Sequence, residues 1–138
     1  MKGNTMYRIL LADDEGIMLE SLKNIIEKNF GASCEIACAK TGRAVVEQAE
    51  SFRPDIAFMD IQMPRMNGYD AARAIRAMDR NYCRQIPIIA MTANAFAEDI
   101  HAAKTVGMNE HIAKPLDLNT LAKLLKRWIQ NKDTLSVG

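Results

Sequence analysis

Short apolar runs alternate along this chain with segments whose apolar residues recur at helical spacing, and that alternation limits the fold more than any other feature. Residues 7–13, 33–39, 55–60, 86–92 and 110–113 read as strands, the first a near-continuous apolar run of the kind buried on both faces. Helices are predicted over 15–30, from Thr41 through 52, over about 69–79, over 97–106 and from 117 onward. Met18, Leu22, Ile25, Ile26 and Phe30 mark the first helix, and Gly31 is expected to stop it. Thr41 is placed to cap the second, and Arg53-Pro54 predicts an extended entry into the third strand. Pro64 and Gly68 make a loop of 61–68; a second, polar loop with Cys83 in it precedes the strand at 86–92. Leu118, Leu121, Leu124, Leu125, Trp128 and Ile129 give the last helix the strongest amphipathic pattern, with Asp117 or Asn119 placed to cap it. Five alternations of strand and helix predict an α/β fold: a doubly wound, five-stranded parallel sheet with helices on both faces and right-handed crossovers.

One domain accounts for this pattern, over residues 6–131, with 1–5 and 132–138 as flexible ends. With 49% apolar and 25% charged residues among 138, the chain can bury a core and is not disordered. Its net charge of +1 gives no whole-chain electrostatic case for nucleic acid or a membrane surface, and contact with neither is expected. Arg73, Arg76, Arg80 and Arg84 form a local basic cluster that reads as a solvated helix face and loop. No apolar stretch approaches the ~20 residues of a membrane span and no signal-peptide core is visible, so the cytoplasm is expected. Cys34 and Cys38 fit that compartment: four residues apart on one strand, their Cα atoms lie roughly 13 Å apart, beyond the ~7 Å that a disulfide allows. His101 and His111 match no zinc spacing.

The strand ends carry the chemistry. The run Ile9-Leu10-Leu11-Ala12 stops at Asp13-Asp14, Ile56-Ala57-Phe58-Met59 at Asp60, Pro87-Ile88-Ile89-Ala90-Met91 at Thr92, and His111-Ile112-Ala113 at Lys114. In a wound parallel sheet those ends share one edge, where ligands bind. Any one of these residues alone can be a helix cap, a turn or a solvated side chain. Independent caps, though, have no reason to fall together on one edge. Acids from adjacent strands repel and raise each other's pKa unless a cation offsets them. A hard divalent ion such as Mg2+, held by carboxylates, a carbonyl and waters, suits that need and binds phosphate groups. Lys114 adds a fixed positive charge and Thr92 a hydroxyl donor for a phosphoryl oxygen. Asp60 is best placed as nucleophile, on the central strand between the acids and the Thr92–Lys114 pair. Phosphoryl transfer asks for little beyond positioning and charge neutralisation.

At these residues the chain resembles the receiver domain of two-component response regulators, over about 6–130. The match rests on Asp13-Asp14, Met59-Asp60-Ile61-Gln62-Met63-Pro64, Gly68, Thr92-Ala93 and Lys114-Pro115. The resemblance implies the flavodoxin-like strand order 2-1-3-4-5 and a phosphoacceptor at Asp60. It implies loading from a phosphohistidine on a histidine kinase or a histidine phosphotransfer protein. Mg2+ would be held by Asp14, Asp60 and the main-chain carbonyl of Gln62, with Asp13 supporting through water. Thr92 and Lys114 would bind phosphoryl oxygens, and the Lys114–Pro115 bond would be cis. A dimer can form through the 97–130 surface. Gln62 and Asn94 flank the site as positions that would set the lifetime of the acyl phosphate. Residues 91–96 and 107–115 look like receivers of hybrid sensor histidine kinases, while Arg8 to Glu15 looks more like receivers that carry DNA-binding output domains. One departure stands out: receivers often carry Tyr or Phe three residues before the lysine, as an aromatic that turns inward with the threonine. This chain has His111, read either as a switch whose charge state enters the equilibrium or as a half-exposed strand-end side chain.

Two other functions fit parts of the pattern. Haloacid-dehalogenase-like phosphohydrolases also combine a nucleophilic Asp, a hydroxyl, a Lys and further acids. They place the nucleophile in an Asp-x-Asp pair on the first strand, which this chain lacks. A flavodoxin-like cofactor binder needs a phosphate loop after the first strand, where Asp13-Asp14-Glu15 would repel the phosphate.

Overall fold

The computed structural model describes residues 7–63, 65–78, 80–93, 97–114 and 116–130. Its strands are β1 (Tyr7–Ala12), β2 (Cys34–Ala39), β3 (Ile56–Asp60), β4 (Ile88–Thr92) and β5 (Glu110–Ala113). All neighbours pair in parallel, in the expected order β2-β1-β3-β4-β5. Between them run α1 (Gly16–Phe30), α2 (Gly42–Ser51), α3 (Gly68–Ala77), α4 (Asn81–Gln85) and α5 (Ala97–Thr105), and α6 (Leu118–Leu125) follows β5.

Successive strand residues face opposite sides of a sheet, and here both sides are buried. Leu10, Ala57, Met59, Ile88 and Ala90 pack on one side with Val45 and Ala49 of α2, Ala72 and Ile75 of α3, Cys83 of α4 and Ala103 of α5. Ile9, Leu11, Ile56, Phe58, Ile89 and Met91 pack on the other with Leu22 and Ile26 of α1 and with Leu121 and Leu124 of α6. A strand with two dry faces has no room for a charge until it ends. Register then brings those ends level: Ala12 lies opposite Met59, Asp60 opposite Met91, and Thr92 opposite Ala113.

Caps settle several boundaries. Thr41 Oγ1 accepts the Ala44 N–H (3.1 Å), and Asp117 rather than Asn119 caps α6, accepting the Thr120 N–H at 2.7 Å. Beyond α6 the chain continues as a π-helical turn, Lys126–Gln130. α1 ends at Gly31 as expected, with that residue at φ −55° and the chain passing through a 3-10 turn, Gly31–Ser33, into β2. Three expectations need correction. Arg53 is not extended: at φ 53° it is left-handed, which reverses the chain between the last turn of α2 and β3. The region ahead of Pro54 already disfavours a right-handed turn, and the Arg53 guanidinium lies 4.7 Å over the Tyr82 ring. Cys83 is not in a loop but fully buried in α4, a helix too short for its periodicity to be read. Nor is the arginine cluster simply solvated. Arg76 is half-buried and donates to the carbonyls of Gly107 (3.0 and 2.8 Å) and Cys83 (2.9 Å) and to Asn109 Oδ1 (2.9 Å). Arg73 pairs with Asp70 and Arg80 with Glu50. Asn94 and the Lys114–Pro115 bond lie outside the described residues. Among the described residues no helix is long and apolar enough to cross a membrane.

Candidate functional site

Asp13 follows β1, and its N–H still donates to the Ala39 carbonyl of β2 (3.0 Å), so the strand pairing itself aims it. Its side chain is fully buried. One carboxylate oxygen, Oδ1, accepts the Glu15 N–H (2.9 Å); the other accepts the Lys114 ammonium (2.7 Å). Asp60, last residue of the central strand and 4% exposed, repeats the arrangement. Its Oδ1 accepts the Gln62 N–H and its Oδ2 the Lys114 ammonium, both at 3.0 Å. In each case a carboxylate folds onto the amide two residues ahead, the local turn that short acidic side chains favour. One face of each acid is thereby spent on holding its own loop, and the other points into the site.

Lys114 follows β5, and its N–H donates to the Thr92 carbonyl at 2.8 Å. Thr92 is 4% exposed at the end of β4. Asp14 is exposed, yet one of its carboxylate oxygens lies within 4.8 Å of oxygens from Asp13 and Asp60. Oxygens on one Mg2+ at about 2.1 Å each stand at most about 4.2 Å apart. This hard-oxygen set therefore fits that ion after a small side-chain adjustment. Gln62 contributes its backbone to the loop while its side chain stays exposed. His111 is half-buried on β5 opposite Ala90, outside the acid cluster. Beside it, the Glu110 carboxylate accepts both Trp128 Nε1 (2.6 Å) and Arg127 Nη1 (2.7 Å), tying β5 to the turn after α6.

The charges do not balance. Burial pushes the Asp60 carboxyl above its ordinary range; the Gln62 N–H and the Lys114 ammonium oppose this, and Asp13 adds to it. Burial alone would lower the Lys114 ammonium, but the hydrogen bonds from it to Asp13 and Asp60 outweigh burial and raise it. The two shifts look contradictory for an ion pair. They agree once one ammonium is seen to serve two buried carboxylates, leaving Asp60 under-compensated.

Two glycines permit this packing: Gly68, which the sequence marks as a loop and as part of the receiver match, and Gly42. A methyl built on Gly68 would lie 2.6 Å from the Asp60 carbonyl oxygen and 2.7 Å from Ile61 Cα. The start of α3 thus closes directly on the backbone of the nucleophile candidate, where any side chain would push the strand end away. Gly42 makes the same kind of approach to the Met66 carbonyl oxygen.

A family profile described as the response regulator receiver domain matches residues 9–126. The chain belongs to the response regulator receiver family. It is a receiver domain of two-component signal transduction. It is 36% identical over 137 residues to probable histidine kinase 2 of Oryza sativa subsp. indica, covering 91% of this chain but only 13% of that kinase. Among solved structures it is similar to the receiver domain of sensor histidine kinase PA1611 from Pseudomonas aeruginosa PAO1, which has a magnesium ion coordinated in its active-site cleft (33% identity, TM-score 0.80, 91% of this chain and 99% of that one). It is also similar to the receiver domain of Ssk1 in its complex with the Saccharomyces cerevisiae histidine phosphotransfer protein Ypd1 (25% identity, TM-score 0.77, 90% and 89% covered). The family leaves the phosphohydrolase alternative without support.

Proposed function

We propose that Asp60 accepts a phosphoryl group from the phosphohistidine of a histidine kinase or a histidine phosphotransfer protein. The observation that carries this reading is the position of its carboxylate, buried at the end of the central strand, inside the three-acid cluster and 3.0 Å from the Lys114 ammonium. An Asp60 oxygen attacks phosphorus in line; the P–O bond forms as the P–N bond breaks, and the imidazole leaves with the electron pair. Lys114 and the Thr92 hydroxyl hold the phosphoryl oxygens as charge spreads over them. Asp14, Asp60 and the Gln62 carbonyl are the residues that would hold Mg2+, with Asp13 supporting through water. When bound, Mg2+ neutralises charge on the carboxylates and phosphoryl oxygens. The magnesium-bound neighbour and the Ypd1 complex support this choice of cofactor and partner.

Readout begins at Thr92, whose carbonyl is bonded to the Lys114 N–H. As Thr92 turns toward the phosphoryl group, the surface of α5, β5 and α6 shifts population, with His111 as the side chain that follows. The same 97–130 surface would carry a dimer contact. The chemistry stops at the domain's own phosphotransfer and dephosphorylation, in the cytoplasm, with no nucleic acid or membrane bound. Incubation with Mg2+ and a small phosphodonor should add one phosphate by mass spectrometry, and Asp60→Asn should abolish it. Labelling that persists unchanged in Asp60→Asn overturns the assignment.

A further inference from the structure

Lys40 leaves the sheet at the edge that carries the acid cluster and has no part in the roles assigned above. Strand pairing determines its place. β1 and β2 run in register as far as Ala12 opposite Ala39, and the Ala39 carbonyl holds the Asp13 N–H. The next residue, Lys40, therefore leaves the sheet at the same edge, beside Asp13. Its ammonium reaches over the start of α1: a methyl built on Gly16 would sit 3.5 Å from Lys40 Nζ. A cation is disfavoured above the positive end of a helix. Among the described residues no carboxylate within 4.0 Å fixes it there. Three acids, Asp13, Asp14 and Glu15, directly precede Gly16 in the chain.

The local charge count is strongly negative. Asp13, Asp14, Glu15 and Asp60 are four carboxylates, and the Lys114 ammonium is already bonded to two of them. An anionic phosphodonor must approach through this negative mouth, whereas a divalent cation is drawn into it. We infer that Lys40 tunes the mouth between those two demands: its charge speeds the approach of the anionic phosphodonor to Asp60 and weakens the binding of Mg2+. It acts through the field and touches no reacting atom, so it is a charge-positioning residue. The inference rests on Asp60 being the acceptor.

The test uses Lys40→Gln, Lys40→Glu and Lys40→Arg with two readouts. The first is the initial rate of labelling by acetyl phosphate at saturating Mg2+, at low and at high ionic strength. The second is the Mg2+ dissociation constant by calorimetry with no phosphodonor present. Lys40→Glu should slow labelling about three- to tenfold at low salt. The gap should close near 1 M salt, where screening acts over about 3 Å. Its Mg2+ affinity should move the opposite way and tighten by about two- to fivefold. Lys40→Gln falls between, and Lys40→Arg matches the parent. A purely structural role for Lys40 would weaken both functions together, independent of salt. That outcome, or wild-type labelling in Lys40→Glu, overturns the inference. Asp60→Asn separates it from the reading beneath: label that survives there defeats the acceptor assignment, while label lost there with Lys40→Glu at the parental rate defeats only the role of Lys40.

Discussion

Replacing Lys114 with methionine keeps the aliphatic stem and removes an ammonium that joins two buried acids. Its Nζ lies 2.7 Å from Asp13 Oδ2 and 3.0 Å from Asp60 Oδ2, and the three side chains are 15%, 0% and 6% exposed. Exposed ion pairs contribute little, but removing one partner of a buried pair costs about 3–5 kcal/mol, because the remaining charge stays buried. The protein has one escape, which is to protonate a carboxylate. Protonating an acid of ordinary pKa at pH 7 costs about 4 kcal/mol, and about 1.4 kcal/mol less for each pH unit below that. The escape caps the loss, so Lys114→Met should lose about 3–4 kcal/mol at pH 7 and only about 1.5 kcal/mol at pH 5. The sign follows from linkage. In the variant the folded pKa of an acid lies above its unfolded value, so the folded state holds the extra proton and stability falls as pH rises through that window. Burial already holds Asp60 above its ordinary range with the ammonium in place, which favours Asp60 as the group that takes the proton. Urea unfolding of parent and variant at pH 5, 6 and 7, without divalent cations, measures the difference. Adding Asp60→Asn to Lys114→Met should recover about 2 kcal/mol at pH 7 and remove most of the pH dependence. A deficit under about 1 kcal/mol at pH 7, or one that does not shrink toward pH 5, would refute the claim that these carboxylates share a single compensating charge.

Gly68→Ala places a methyl 2.6 Å from the Asp60 carbonyl oxygen and 2.7 Å from Ile61 Cα, two backbone atoms that cannot swing aside. It should cost about 1–3 kcal/mol and slow phosphodonor labelling of Asp60, and labelling at the parental rate would show that the strand end does not need this close approach. Arg76→Met removes the donors to the Gly107 and Cys83 carbonyls and to Asn109 Oδ1, which itself accepts the Ile88 N–H (2.9 Å) at the start of β4. The expected loss is about 2–4 kcal/mol in urea unfolding with the labelling rate retained, because these contacts lie at the opposite end of the strands from Asp60.

The strands were legible because both sides of the sheet are dry, which forces unbroken runs such as Ile9 to Ala12 and Ile56 to Met59 and makes their polar ends conspicuous. For the same reason Asp13, Asp60, Thr92 and Lys114 could be placed on one edge without coordinates. What could not be read was geometry that depends on one turn meeting another. The carboxylate-to-amide turns at Asp13 and Asp60 leave no trace in hydrophobic periodicity. The need for glycine at position 68 arises from the backbone of Asp60 and Ile61, which the intervening loop brings back into direct contact with it. Arg53 defied the local rule for a residue before proline, because the reversal between α2 and β3 demanded a left-handed residue there. Arg76 looked like surface charge, since nothing in the sequence signals that the Gly107 carbonyl needs a donor.

The imbalance of charge at the strand ends links the fold to what the site can do. A sheet buried on both sides can place a charged group only at its edge, and the turns that hold Asp13 and Asp60 carry their carboxylates back into burial there. One ammonium cannot compensate both, so the folded state carries an electrostatic deficit that an added cation would relieve. A ligand that binds only the folded state stabilises it by an amount that grows with its concentration over its dissociation constant, about 2.7 kcal/mol at a hundredfold excess. The relief would therefore appear as affinity for a divalent ion. Phosphorylation would then rearrange the same few charges: a phosphoryl group on Asp60 removes one carboxylate and adds oxygens within reach of Lys114 and Thr92. Because the Lys114 N–H is bonded to the Thr92 carbonyl, a shift at either residue is felt at the ends of both β4 and β5. A phosphoryl group on Asp60 would thus reach the outer strand through a strand-pairing hydrogen bond, with no separate relay required.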